Sequence, residues 1–538
     1  MRRFLYSVCL FSAIIPLKTS AQLGESDALR YSQDILGGTA RFAAMGGAFC
    51  AVGGDMGALG YNPASIAVYT NNQMEITPGI AFQSTNASYN GTSTTNTNSA
   101  ATLQSLGFVA TGKVRKKDKD DKGGWKSYNF GVAYNRLNNF NDNVTIQGTT
   151  NSSTFLNDIT TQANGTNYNN LGNLDGFRVA PAWNAGLLDT VAGTNGSQYF
   201  NIIQPSLNAG GTVLQTENIL TTGSMGETDI SFGGNYNDRL FIGVTIGIVD
   251  VNYNLTDSYT EQAEYTDANY GFSNYTYTQN LNTSGTGVNF KVGIIYRILD
   301  WLRVGAAIHS PTYFSMTDNY STNWVANYIS GSPYTNYQAL SVTTDGNGNP
   351  LGAQTQYNYN LTTPMKAIIG AAAVINGQGI VSADYEYVDY STISVNSADL
   401  GSGYTAPLNS AISQDFMQAN NLRFGFEWVL YPISLRAGYS IYGNPYNQST
   451  VGYSSIRNTY SLGVGLKVNH VAFDIAYTLM QYSEQYQSYS EATPATLKTN
   501  ISNVILTMAY TFDSPKSHPH RRRYNSYPPP PPPPPGAY

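Results

Sequence analysis

Between Thr286 and Ile298 the chain alternates strictly. Val288, Phe290, Val292, Ile294, Tyr296 and Ile298 hold one set of positions, and Asn289, Lys291, Gly293, Ile295 and Arg297 hold the other. A period of two predicts a β-strand with one apolar and one largely polar face. Tyr460, Leu462, Val464, Leu466 and Val468 repeat the pattern opposite Ser461, Gly463, Gly465 and Lys467. A third copy closes the chain, where Val504, Leu506, Met508, Tyr510 and Phe512 alternate with Thr507, Ala509 and Thr511. Weaker versions predict strands at 73–83, 103–112, 126–136, 227–237, 240–253, 301–312, 365–375, 379–390, 420–430, 432–442 and 470–482. Each is long enough to cross a bilayer at a tilt, for which about 9–11 residues suffice.

The connections between these strands alternate in length. Those near Lys113–Gly124, Asn237–Arg239, Leu299–Asp300, Asn376–Gln378, Tyr431 and Asn469 are tight or fairly tight, and the others are long and rich in Asn, Thr, Ser and Tyr. Bacterial barrels have short periplasmic turns, longer outside loops and an even strand count. A soluble sandwich has no reason to place every long loop at one end. The expected fold class is all-β: a transmembrane antiparallel β-barrel of about 14 strands with an N-terminal plug, or hatch. Closure is required because open strand edges do not survive in hydrocarbon. An even count puts both mature termini on the short-turn side, the periplasm. Inward Gly243, Gly247, Gly293 and Gly463 admit two readings, room beside bulky lumen contents or eased strand curvature.

The ends of the chain add an export route. Arg2 and Arg3, the mostly apolar Phe4–Leu17 and the small-residue site Thr19-Ser20-Ala21 make residues 1–21 a signal peptide. Cys50 is then the single cysteine of the mature chain, which excludes an intramolecular disulfide. No later segment has the apolar run a membrane helix needs. The 42 Tyr and 21 Phe suit interfacial girdles. A formal charge of −6, with 28 Lys and Arg, gives no nucleic-acid surface.

Residues 22–72 break the strand pattern. They contain GTARFAAMGGAF at Gly38–Phe49, AVGGD at Ala51–Asp55 and YNPAS at Tyr61–Ser65. Small residues allow close backbone packing, Gly46 and Gly47 tolerate special dihedrals, and Asn62-Pro63 signals a turn. A compact, partly helical plug inside the barrel fits this composition, and 73–512 would be the barrel. The glycine clusters lack the Lys-Ser/Thr and preceding strand of a phosphate loop, so no nucleotide cofactor is expected.

These N-terminal motifs, together with GETDISFGGNYNDRLFIGVTIG at Gly226–Gly247 and GTGVNFKVGIIYRILDWLRVGAAIHSPTYF at Gly285–Phe314, resemble the FadL/OmpP1/TodX outer-membrane transport family in its Bacteroidota branch. The likeness spans most of the mature chain except the outside loops. It implies a 14-stranded barrel in the outer membrane, gated by an N-terminal hatch, for passive uptake of hydrophobic compounds such as long-chain fatty acids. The family's Asn-Pro-Ala hatch element maps onto Asn62, Pro63 and Ala64, with Ser65 where the family commonly has glycine. FadL-like architecture also serves a secretion-associated barrel, so docking of cargo or partner proteins is the alternative function.

Candidate ligand contacts lie in Leu171–Asp189, where Phe177, Trp183 and Leu187 interrupt a polar surround and Arg178 offers a fork of donors to a carboxylate. Simple loop packing is the competing reading. Phe314 begins a second aromatic region with Trp324 and Tyr328, which suits either ligand contact or an interfacial rim. Neither a catalytic set nor a metal-ligand set is expected. His309 and Ser310 point to opposite faces of a strand, and Asp384, Glu386 and Asp389 lack a complementary nucleophile and read as solvated lumen and rim carboxylates. The mixed-sign run KVRKKDKDD at Lys113–Asp121 makes a soluble periplasmic turn. Residues 513–538 are a His/Arg/Pro-rich tail ending in Pro528–Pro535, which is either a polyproline spacer reaching a periplasmic partner or an inert extension.

Overall fold

A computed structural model describes residues 23–512 except 36, 115–123, 264–271, 331–337, 345–346, 350 and 448–454. The signal peptide, most of the KVRKKDKDD run and the C-terminal tail therefore lie outside the described residues.

Fourteen strands close a barrel in simple chain order. They are β1 (Gln73–Tyr89), β2 (Thr92–Lys113), β3 (Trp125–Asn139, resumed as Asp142–Thr150), β4 (Val213–Tyr236) and β5 (Leu240–Ala263). Then come β6 (Phe272–Leu299), β7 (Leu302–His309, resumed as Tyr313–Ser330), β8 (Gln354–Thr362, resumed as Lys366–Ile375) and β9 (Gly379–Asp389, resumed as Ser394–Asn396). The last five are β10 (Gln418–Leu430), β11 (Ile433–Tyr442), β12 (Arg457–Val468), β13 (Val471–Tyr486) and β14 (Ala495–Thr511). Every pairing is antiparallel, and β14 closes on β1 with Gln73 opposite Thr511. The breaks in β7 and β8 fall at Pro311 and Pro364, which have no N–H to give the ladder. Thr312 and Thr363 stitch the gap by reciprocal hydrogen bonds of 2.9 and 3.1 Å.

The period-two faces stand as the sequence predicts. Val288, Phe290, Val292, Ile294, Tyr296 and Ile298 are exposed on the outside, whereas Asn289, Lys291 and Ile295 are buried inside. The exposed apolar positions form a band around the barrel that includes Met74–Phe82 on β1 and Ile242–Ile248 on β5. Such a band is the lipid-facing belt of a transmembrane barrel. The described tight turns fall where expected, and Asn237-Asp238 and Asn376-Gly377 both supply the paired positive φ of a type I′ turn within a three-residue connection.

The long outside loops need correction. β4 and β5 stay paired from Tyr236 opposite Leu240 to Val213 opposite Ala263, 24 residues each, far beyond the apolar band. The connection after β1 is only the turn Asn90-Gly91, with φ of 45° and 80°. Above the band water meets the outer face and the buried inner face carries Tyr, Asp and Glu, as at Asp257, Glu261, Tyr275 and Tyr277, so the apolar–polar alternation disappears while the ladder continues. Cross-strand side chains hold it instead, as in Ser88–Ser93, Thr256–Asn280 and Thr260–Thr276, each at 2.9 Å.

Residues 151–212, between β3 and β4, build a lid at the outer end. Its helices include Leu156–Ala163 and Val179–Asn184, and a small hairpin pairs Leu188–Thr190 with Tyr199–Asn201. Buried Leu156, Ile159, Val179 and Leu187 form one core with Tyr275, Tyr277 and Trp324 of the wall. Phe155 stacks on Trp324 with centroids 6.2 Å apart.

Candidate transport pathway

The N-terminal segment lies inside the barrel and is bonded to its inner wall on many sides. Helix α1 (Glu25–Arg30) is followed by α2 (Ala40–Ala44), whose Thr39 cap accepts from Phe42 N at 3.0 Å. Gly46 and Gly47 turn the chain with φ of +61° and +72°. Asn62 caps the 3₁₀ turn Pro63–Val68 by accepting from Ala64 N at 3.0 Å, and Pro63 starts that turn. The Asn62 amide also donates to Cys50 O at 2.6 Å and to Ile294 O of the wall at 3.3 Å.

Wall side chains complete the attachment. Arg423 donates to Tyr61 OH at 2.7 Å and pairs with Glu386 at 3.1 Å. His309 Nε2 stands 3.0 Å from Tyr61 O, Cys50 N donates to Asp384 at 2.8 Å, and Ser440 donates to Gly46 O at 2.9 Å. Arg41 forks onto Glu427 at 3.0 and 2.7 Å, and Lys366 pairs with Asp34. Beneath these, Lys291 holds Glu227 and Asp229. Asp384 and Glu386 are thus buried, only 3 % and 7 % exposed, where the sequence reading expected solvated carboxylates. Asp389 instead caps a turn through Ser391 N at 3.1 Å. The filled lumen also resolves the inward glycines. A Cβ at Gly243 would overlap the Pro63 carbonyl, and one at Gly293 would overlap Asn62 Oδ1.

Above this packed layer lies an outer cavity of about 640 Å³. A smaller chamber of about 80 Å³ borders it, and the two share Ile35, Asn138, Asn139 and Ile501 in their linings. On the short-turn side a separate vestibule of about 320 Å³, lined by Val52, Val68, Arg303 and Lys467, shares no lining residue with the outer cavity.

The wall has an interruption beside the small chamber. The β2–β3 ladder stops at Ser105 opposite Asn135, although β2 continues to Thr92 and β3 resumes to Thr150. A register shift between Arg136 and Asn138 bends β3 at this place. The N-terminal segment covers the unpaired edge: Ile35 N donates to Leu137 O at 2.7 Å and Gly37 N to Arg136 O at 3.1 Å. On β2 the interruption adjoins exposed Leu103, at the outer margin of the apolar band.

The loop candidates have other engagements. Arg178 is buried and donates to Asp175 at 3.2 Å and Gln162 at 3.0 Å. Phe177 packs on Tyr320 at 5.5 Å, Leu187 lies in the lid core, and Trp183 stacks on exposed Tyr168 at 5.6 Å. Phe314 is buried against Met316 and Leu361. None of these five lines the outer cavity.

Residues without a sequence signal do line it or flank it. Arg30 and Tyr253 meet there, the guanidinium 4.3 Å from the ring centroid. Asp257 and its neighbour Glu217 stand well above the apolar band on β5 and β4. Burial pushes Glu217 up, with the Asp257 charge adding to it, and burial pushes Asp257 up against hydrogen bonds from Gln279 and Glu217. Glu261, also above the band, anchors the lid: it accepts from Phe155 N at 2.9 Å, Tyr275 OH at 2.8 Å, Gln215 at 2.9 Å and the Thr154 hydroxyl. Burial pushes its carboxyl up.

Fold and lumen together define a closed transmembrane barrel with an internal N-terminal segment. Among solved structures, a FadL homologue from Pseudomonas aeruginosa matches over 90 % of this chain and 100 % of its own, at 13 % identity and a TM-score of 0.52. The Pseudomonas putida toluene transporter TodX matches over 89 % of this chain and 100 % of its own, at 13 % identity and a TM-score of 0.48. The FadL homologue bears out the FadL-like barrel fold expected from the motifs. No protein-family model and no curated protein matches the chain.

Proposed function

We propose that this protein is an outer-membrane channel for passive uptake of hydrophobic compounds, with the N-terminal segment as its hatch and both mature termini in the periplasm. The observation that carries this reading is the covered interruption between β2 and β3. Cargo entering the outer cavity reaches the small chamber past Ile35, and the nearest breach in the wall is the one that Ile35 and Gly37 cover. At the interruption two backbone hydrogen bonds, each worth about 1 kcal/mol net, hold the arm, and the Lys366–Asp34 ion pair beside them must part or travel with it. The remainder of the hatch, bonded through Arg41, Cys50, Tyr61 and Asn62, stays in place while the arm before Gly38 moves. Release at the outer margin of the apolar band delivers an apolar compound directly to the membrane. Fatty acids and aromatic hydrocarbons are the compounds that the family resemblance implies.

Crosslinking tests the arm. In a Cys50→Ala background, Ile35→Cys and Leu137→Cys together place two thiols at the bonded pair. Expressed in the outer membrane of a heterologous host, the oxidised protein takes up a radiolabelled hydrophobic compound no faster than cells without it, and reductant restores uptake. Equal uptake in both redox states would sink the gate, and no uptake by the native chain for any hydrophobic probe would sink the channel.

A further inference from the structure

Resting on that channel reading, we infer that the outer cavity is a binding site for organic cations, amines that carry an apolar tail. Its described lining contains six carboxylates, Glu25, Asp27, Asp142, Asp257, Asp415 and Glu484, against two guanidiniums, Arg30 and Arg457. Arg30 is already neutralised by Asp27. A fatty-acid headgroup entering here meets carboxylates in excess. A protonated amine meets the opposite field, concentrated by low-dielectric walls.

The walls supply the second half of the recognition. Tyr253, Tyr320, Tyr357, Tyr446, Tyr482 and Tyr486 all line the cavity. Aromatic faces attract cations, and cages of such rings are a recognised way of holding alkylated ammonium groups. The cavity performs this chemistry on its own side chains: Arg30 lies 4.3 Å from the Tyr253 centroid and Arg457 lies 4.8 Å from that of Tyr482. Leu29, Phe140, Ile219 and Leu281 give apolar lining for a tail. About 640 Å³ is room for a small amphiphile.

Asp257 is the carboxylate placed for the charge: it is 5 % exposed, and apart from the neighbouring Glu217 carboxyl no donor reaches its Oδ1. Gln279 occupies Oδ2 at 2.7 Å. The group beside Asp257 is the Glu217 carboxyl, itself held by Tyr486 at 2.7 Å and by Ser488. Burying two neighbouring carboxyls without a cation is costly, and a bound ammonium relieves that cost.

The test compares one tail with three headgroups. Octylamine, octanol and octanoate are titrated calorimetrically into the purified barrel in zwitterionic nanodiscs, with empty discs as blanks. Octylamine binds tightest and octanoate weakest, about tenfold apart. Asp257→Asn lowers octylamine affinity about fivefold and leaves octanol unchanged. Glu217→Gln is the second variant, with the same expectation, and heat-modifiable gel migration reports folding. The Asp300→Asn control, in an exposed turn on the short-turn side, changes nothing. Octanoate binding as tightly as octylamine, or both cavity variants shifting all three ligands alike, overturns the assignment. Octanol uptake in the cell assay without amine preference in the discs overturns this inference alone, whereas absent uptake of every probe overturns the channel reading.

Discussion

Asn62 and Gly293 are matched across the lumen: the Asn62 carboxamide fills the space that any side chain at Gly293 would need. The same amide donates to Ile294 O at 3.3 Å, so the N-terminal segment and the wall share one contact of packing and one of hydrogen bonding. Gly293→Val is therefore expected to expel the 3₁₀ turn while the barrel still closes. In planar bilayers the variant conducts ions steadily where the native protein is nearly closed. Native-like conductance from a folded Gly293→Val barrel would show that this contact does not seal the lumen.

Gly37 sits against the β3 carbonyl of Arg136 with no room for a methyl group. Gly37→Ala should push the arm from the wall interruption and raise uptake of a hydrophobic probe several-fold in the same cell assay. Slower uptake with normal protein levels would contradict the arm as a cover.

Arg423 is 1 % exposed and joins Tyr61 of the N-terminal segment to Glu386 of the wall. Arg423→Met leaves Glu386 buried without its cation, at a cost of about 3–5 kcal/mol. Thermal unfolding in detergent should fall accordingly, and the double variant Arg423→Met with Glu386→Gln should recover part of the loss. No recovery would mean that the pair matters through packing alone.

Glu261 collects the lid's hydrogen bonds in a buried site. Glu261→Ala strands donors on Thr154, Tyr275 and Gln215, each costing about 1–3 kcal/mol. Limited proteolysis should then cut within 151–212 sooner than in the native protein, with the barrel strands still protected. An unchanged cleavage rate would place the lid's stability in its apolar core.

Octylamine binding should weaken as pH falls through the neutral range. Glu217 and Asp257 are pushed up by burial, so they take protons where ordinary carboxylates remain charged, while the amine stays cationic. The ionisable groups facing the pair are Tyr89, Tyr253, Tyr259, Tyr320 and Tyr486, all themselves pushed up and neutral. Affinity measured at about pH 8 should exceed that at about pH 5.5, and a flat profile would remove the pair from binding.

Period-two alternation alone placed the crossing parts of the strands, because lipid outside and polar groups inside impose opposite chemistry on successive residues. Val288–Ile298 and Val504–Tyr510 needed nothing more. The same logic explains the misread loops at 84–102, 254–263 and 272–285: with polar residues on the outer face and Tyr, Asp and Glu on the inner, no apolar–polar alternation records the ladder. The Asn62-Pro63 turn was legible from local backbone preference. Asp257, Arg30, Ile35 and Gly37 were not, since each acquires its role from partners that the closed barrel brings near. Thus the sequence by itself determined strand number, facing and the internal segment's composition. Only tertiary structure decided which lumen charges are buried, where the wall ladder stops and what covers it, because those depend on contacts between residues hundreds of positions apart.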